Sequence, residues 1–206
     1  MKQNTIKDFF NEKAERWDQI TNHNPQKIKF LLEKIKISSG NIVLDVGTGT
    51  GILIPFLLEL VGHEGQIIAV DLSEKMIELA QKKYPKQNVN FVVGDVNNLI
   101  LDEIRYDAVI CYSVFPHFLN PEETLLNLWK LLKPEGQIIV CHSESKDTIN
   151  HRHQSVGAQE ISLGLPESKE VEKLFVKAGF KVLDSVDNEE LYYVIGKKRM
   201  DVKNKG

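Results

Sequence analysis

The chain has 206 residues, 42% of them hydrophobic and 27% charged, enough for one domain over residues 1–206 with a sizeable core. The formal net charge of −3 gives no basic footprint for nucleic acid, and the isolated Cys111 and Cys141 make neither a disulfide framework nor a Cys-x-x-Cys metal site. No apolar run approaches the ~20 residues that span a bilayer, and the polar first ten residues do not read as a signal peptide, so the expected setting is soluble and cytoplasmic.

In chain order, Thr5 to Gln19 has the pattern of an amphipathic helix, with Ile6, Phe9, Phe10, Ala14 and Trp17 at three- and four-residue steps. Asn24-Pro25 opens a second helix, whose stripe is Ile28, Leu31, Leu32 and Ile35. Ile42–Val46 reads as a buried strand and the stretch from about Ile52 to Val61 as a helix. Gln66–Val70 is the second strand, ending at Asp71. Ser73 is placed to cap a helix over 74–84. Asn88–Val93 and Asp107–Tyr112 are the third and fourth strands. Pro121–Leu132 is helical, Lys133-Pro-Glu-Gly136 is a turn, and Gln137–Cys141 is the fifth strand. A less regular insertion is expected over 144–166, then a helix over Glu167–Ala178. Strands near 180–186 and 191–197 end the pattern. Alternating strands and helices predict a mainly parallel α/β sheet covered on both faces. Two successive strands at the end predict a hairpin, with the last strand antiparallel. The basic residues Lys197, Lys198, Arg199, Lys203 and Lys205 read as a solvated tail.

The most telling stretch is Asp45-Val-Gly-Thr-Gly-Thr-Gly51, between the first strand and its helix. A strand, a glycine turn and a helix N-terminus form a nucleotide-binding unit. The dinucleotide fingerprint G-x-G-x-x-G needs a third glycine at position 52, which is Ile52. The glycines instead alternate at 47, 49 and 51, around Thr48. Such a turn lets the backbone lie close to a ligand, because glycine lacks Cβ and tolerates positive φ.

This motif resembles the first motif of class I S-adenosylmethionine-dependent methyltransferases, and three more landmarks follow in order. Asp71 ends the second strand. Gly94-Asp95-Val96 follows the third. Tyr112 and Ser113, with Phe115 beyond, end the fourth. The resemblance covers about residues 5–198 and implies a seven-stranded Rossmann-like sheet. It implies that Asp45 and the 47–51 turn hold the methionine end of S-adenosyl-L-methionine. Asp71 would hold the ribose hydroxyls, and Leu72 and Met76 would flank the adenine. Asp95 would accept the adenine amino group, with the Val96 amide facing the ring and Tyr112 and Ser113 beside the transferred methyl. The N-terminal helix, with Phe9, Phe10 and Trp17, resembles the lid of the small-molecule enzymes of ubiquinone and menaquinone biosynthesis, which makes residues 1–40 a candidate lid.

The implied activity is methyl transfer by in-line displacement to a small-molecule acceptor. The donor is already activated, so positioning supplies much of the rate. A base is needed only where the acceptor holds a proton. Tyr112-Ser-Val-Phe115 departs from the Asn/Asp-Pro-Pro-Tyr/Phe motif of many nucleic-acid and glutamine methyltransferases, which argues against base amino groups as acceptors. His117 after the fourth strand and His142 at the end of the fifth should open onto the acceptor side, and with Tyr112 they are the catalytic candidates. His151-Arg-His153 lies in the insertion. The histidines also fit turn positions, a substrate site or a His-bound metal or metallo-substrate, while Arg152 suits an anionic group. The other readings are a nucleotide-dependent oxidoreductase and a module that binds S-adenosylmethionine without catalysis.

Overall fold

A computed structural model describes residues 3–98, 105–155 and 160–199. Its centre is a seven-stranded sheet in the order β3-β2-β1-β4-β5-β7-β6. The strands are β1 (Ile42–Val46), β2 (Gln66–Asp71), β3 (Val89–Val93), β4 (Tyr106–Tyr112), β5 (Leu132–His142), β6 (Phe180–Asp187) and β7 (Tyr192–Lys198). Strands β1 to β5 pair in parallel, and β7 runs antiparallel between β5 and β6, as the terminal hairpin requires.

The parallel strands are apolar on both faces because helices cover both. Successive side chains point to opposite sides, which divides the core in two. Leu44, Val46, Val109, Cys111, Ile138 and Val140 pack on one side with Leu125 and Leu128 of α6 (Pro121–Leu131) and Val171 and Phe175 of α8 (Ser168–Lys177). Val43, Ile67, Ala69, Ala108, Ile110 and Ile139 pack on the other with α3 (Pro25–Glu33) and α4 (Ile54–Val61). Cys111 and Cys141 fall on opposite sides, both buried and free.

The caps are those the residues call for. Asn24 Oδ1 accepts the amides of Gln26 and Lys27 at 2.9 and 3.1 Å, with Pro25 at the first helical position of α3. Ser73 Oγ accepts the Met76 amide at 3.1 Å and starts α5 (Glu74–Lys83).

The expected basic tail is cut back, because Lys197 and Lys198 lie in β7 and the buried Lys198 donates to the Leu132 carbonyl at 2.8 Å. Three further elements depart from the sequence expectation. The N-terminal helix begins at Gln3 and is broken: α1 (Gln3–Lys13), a 3-10 turn (Ala14–Arg16) and α2 (Trp17–Ile20). β5 starts five residues early, because Leu132 already pairs with Tyr106. The expected turn survives as a bulge before pairing resumes at Ala108 and Gln137, with Glu135 at φ +66°. The 144–166 insertion contains α7 (Lys146–Ser155). Ser145 begins it, accepting the Thr148 amide on Oγ at 3.2 Å and the Ile149 amide on its carbonyl at 3.1 Å. Ile149 is the one apolar residue of its ten, so no periodic stripe announces the helix.

Strand order reverses between β1 and β4. In an open α/β sheet the binding crevice lies there, beyond the carboxyl ends of the strands. Asp45, Asp71, Tyr112 and His142 all sit at or near those ends.

Candidate active site

The glycine turn is fixed by backbone bonds. The amides of Gly47 and Thr48 both donate to the Val70 carbonyl, at 2.8 and 3.0 Å. Gly47 has φ +71°, and a Cβ there would collide with the Val114 side chain. Gly47→Ala therefore meets left-handed strain of about 1–2 kcal/mol as well as the clash, and its melting temperature is expected to fall. Adding Val114→Ala relieves the clash but not the strain, so recovery should be partial; full recovery would contradict the backbone argument.

Asp71 ties the turn to α5. Its Oδ2 accepts the Gly49 amide and its Oδ1 the Ser73 amide, each at 2.9 Å. Burial lifts its pKa from the ordinary carboxylate value, and these backbone bonds resist the lift. Asp45 is 1% exposed, and its Oδ2 has no hydrogen-bond partner; neither has the buried Thr48 Oγ. Desolvation, opposed by the neighbouring Thr48 hydroxyl and reinforced by Asp71, pushes the Asp45 carboxyl up to about 7. The stability consequence has a definite sign. The unfolded carboxyl ionises near 4 and the folded one near 7, so the folded state loses stability as pH rises through that window. Asp45→Asn is isosteric and uncharged. Its melting temperature should exceed that of the parent most at pH 8, with the difference shrinking toward pH 5; a pH-independent difference would contradict the burial of a charge.

Two adjoining chambers occupy the crevice. The first, of about 140 Å³, is lined by Asp45, Gly47, Thr48, Gly49, Asp71, Leu72, Met76, Gly94, Asp95, Val96, Tyr112, Ser113 and His117. The structure thus brings together thirteen of the residues singled out from the sequence. Asp95 Oδ1 accepts the Asn97 amide at 2.9 Å, and its Oδ2 accepts the Gln3 side-chain amide at 2.6 Å. Two candidates lie elsewhere. Gly51 is absent from this lining; at φ +87° its Cβ would meet the Tyr84 ring at 2.9 Å, so it serves packing behind the turn. His142 is 2% exposed and lines only the second chamber.

The second chamber, of about 480 Å³, lies among α1, the 3-10 turn, α2, α7 and the β5 end. Phe10, Trp17, His23, Ser113 and His117 line both chambers and form the seam between them. Ser113 takes φ +55° there, with its amide on the Cys141 carbonyl at 2.9 Å. A non-glycine residue in that region is a strained feature that collects at functional sites. His117 ends a 3-10 turn (Phe115–His117). Its Nδ1 stands 2.8 Å from the Ile161 carbonyl, and that oxygen only accepts, so Nδ1 carries the proton and Nε2 keeps its lone pair. Burial, then the nearby His153, brings the His117 pKa down to about 4. Burial also brings His142 to about 3, and its Nε2 has no partner. Tyr112 Oη lies 2.8 Å from both His23 Nδ1 and Ser143 Oγ.

His117 and His153 have ring centroids 5.3 Å apart, yet among the described residues no three His, Cys, Asp or Glu side chains are grouped to hold a metal. His151 is exposed on α7 and not part of either lining, whereas His153 is. Sequence reasoning missed His23, which sits in the short link before α3 with no motif around it. It also missed Asp18, which accepts Thr50 Oγ at 2.5 Å and pairs with Lys83, fastening α2 across the glycine turn.

Comparison with known proteins agrees with this geometry. Residues 44–140 match the family model described as a methyltransferase domain. The malonyl-[acyl-carrier protein] O-methyltransferase of Priestia megaterium is 29% identical over 78% of this chain and 58% of its own length. The ubiquinone biosynthesis O-methyltransferase of Coxiella burnetii is 30% identical over 70% of this chain and 60% of its own. The chain thus spans about three fifths of these curated relatives. A chain from the complex of the Haloferax volcanii Trm112 methyltransferase activator with a methyltransferase superposes with TM-score 0.79, at 20% identity, over 92% of this chain and 97% of that one. That likeness carries the fold. The sheet order and the glycine turn at its switch point are those of the class I, Rossmann-like fold, and residues 44–140 are similar to a methyltransferase domain.

Proposed function

We propose that the protein is an S-adenosylmethionine-dependent methyltransferase acting on a small hydroxyl-bearing acceptor. The observation that carries this reading is the seam: two chambers, one lined by the landmarks of a methyl-donor site, meet at Phe10, Trp17, His23, Ser113 and His117. The residue types of the first chamber suit the cofactor's parts. The orphaned Asp45 Oδ2 and Thr48 Oγ can take polar partners from the methionine end. Asp71 and Asp95 supply acceptor oxygens for ribose and adenine, with Leu72 and Met76 as apolar flanks. When bound, the cofactor supplies a sulfonium-activated methyl group.

The chain's own residues then have three tasks. Phe10, Trp17 and Ile161 exclude water from the seam. Tyr112, held by His23 and Ser143, keeps the β4 end in place. His117 Nε2, unprotonated at neutral pH, accepts the proton of an acceptor hydroxyl. Its low basicity suits an acidic hydroxyl, such as a phenol or enol, better than an alkyl alcohol. His142 lies deeper and shapes the floor.

Residues 1–40 and 144–166 are read as the two covers of the acceptor chamber, supported by the positions of α1, α2 and α7. Cytoplasmic residence belongs to the same proposal, supported by two buried free thiols. Among the described residues no helix is long and apolar enough to cross a membrane. Calorimetric titration tests the cofactor assignment: S-adenosylmethionine and S-adenosylhomocysteine are expected to bind one to one and NADH not at all. Binding of NADH in their place would favour the oxidoreductase reading.

A further inference from the structure

We propose that the acceptor is a hydroxy acid, with its carboxylate held at the Lys13–Arg16–Arg152 rim of the second chamber and its flat apolar body against Phe9, Phe10 and Trp17. This rests on the acceptor-chamber reading above and names the substrate class it takes.

The chamber's charge is lopsided. Its lining holds three cationic side chains, Lys13, Arg16 and Arg152, against the single carboxylate of Glu144. Its imidazoles do not add to the positive charge at neutral pH, because burial holds His23, His117, His142 and His153 below the ordinary value. The cations also belong to the exposed part of the lining. Arg152 and Glu144 form an ion pair, with side chains 48% and 30% exposed, so they stand at the mouth. Arg16 is exposed on the lining, and the Lys13 ammonium, paired with Glu12 at 2.9 Å, lies 5.8 Å from the Phe9 centroid. The inner end is different: Ile149, Ile161 and His142 are 5%, 3% and 2% exposed.

This polarity fixes an orientation. A carboxylate at the inner end would lose its hydration among neutral imidazoles and isoleucines, a large cost without a buried cation. At the mouth it meets guanidinium groups whose planar forks match it. The Glu144 carboxylate on Arg152 shows that this guanidinium accepts such a partner here. The hydroxyl then points inward to His117. A chamber of about 480 Å³ holds a molecule of that kind.

The test uses the full chain saturated with S-adenosylhomocysteine. Matched pairs, hydroxybenzoates and hydroxynaphthoates against their carboxamides, are titrated by calorimetry. At least one acid should bind about tenfold tighter than its amide, as expected for one charge-assisted contact. The Arg16→Ala/Arg152→Ala variant, altered only at exposed positions, should lose most of that difference and keep its affinity for the amide. Glu144→Gln, which removes a competing carboxylate from Arg152, should tighten the acid. Equal binding of acids and amides, binding of neither, or a preference that survives loss of both arginines would overturn the proposal. Failure of S-adenosylhomocysteine itself to bind, or its displacement by the acid, would instead sink the two-chamber reading beneath it.

Discussion

Replacing His117 by glutamine is expected to lower kcat by about 10²–10⁴-fold, with S-adenosylmethionine affinity changed by less than about threefold. Glutamine can still donate to the Ile161 carbonyl, the bond that His117 Nδ1 makes at 2.8 Å. What it lacks is the basic lone pair at the seam. The pH profile separates this role from packing. A base works only when unprotonated, and the His117 pKa is brought down to about 4 by burial. Its contribution to kcat/KM is thus complete from pH 6 to 8 and declines only as pH falls toward 4. The variant should lose that lower limb together with the rate. A parent profile that instead turns over near 6.5 would place the working base elsewhere, on a group with an ordinary histidine pKa. An unchanged kcat would remove His117 from the chemistry.

Asp71→Ala is expected to weaken S-adenosylmethionine binding by about 2–4 kcal/mol, roughly 30- to 1000-fold, measured by calorimetric titration. The carboxylate serves twice. Toward the protein it accepts the Gly49 and Ser73 amides and so joins the glycine turn to α5. Toward the chamber, which it lines, its remaining lone pairs are proposed to accept the ribose hydroxyls. Alanine removes both, whereas Asp71→Asn keeps one acceptor oxygen and should lose less. Unchanged affinity in the alanine variant would refute the ribose assignment. A loss shared equally by adenosine and S-adenosylmethionine would locate the effect at the nucleoside rather than at the methionine end.

Much of this site was legible because strand ends dictate it. Ile42–Val46 and Gln66–Val70 are short apolar runs bounded by an acid or glycines, and parallel order sends their carboxyl ends to one crevice. Asp45, Asp71, Asp95 and Tyr112 follow from that rule. The Gly47-x-Gly49-x-Gly51 spacing was legible too, although it does not reveal which glycine faces the ligand. Tyr84, 33 positions further on, decides that Gly51 does not. α7 escaped because a helix with one apolar residue carries no 3.6-residue period. His23 escaped for another reason: its partner Tyr112 is 89 residues distant, and only tertiary contact joins them. The two arginines share that limit, since Arg16 of the 3-10 turn and Arg152 of α7 are far apart in sequence and line one chamber. The first chamber is therefore written in local motifs, and the second in the packing of α1, α2 and α7.

The central claim is that the two chambers carry one reaction across their shared seam. Incubation of the full chain with S-adenosylmethionine bearing a labelled methyl group and the hydroxy-acid panel, followed by mass spectrometry, tests it most directly. The account predicts one labelled methyl on the hydroxyl oxygen of an acceptor, matched mole for mole by S-adenosylhomocysteine and formed about 10²–10⁴-fold more slowly by His117→Gln. Tight cofactor binding with no labelled product from any acceptor, or a label found on the carboxylate instead, would contradict it.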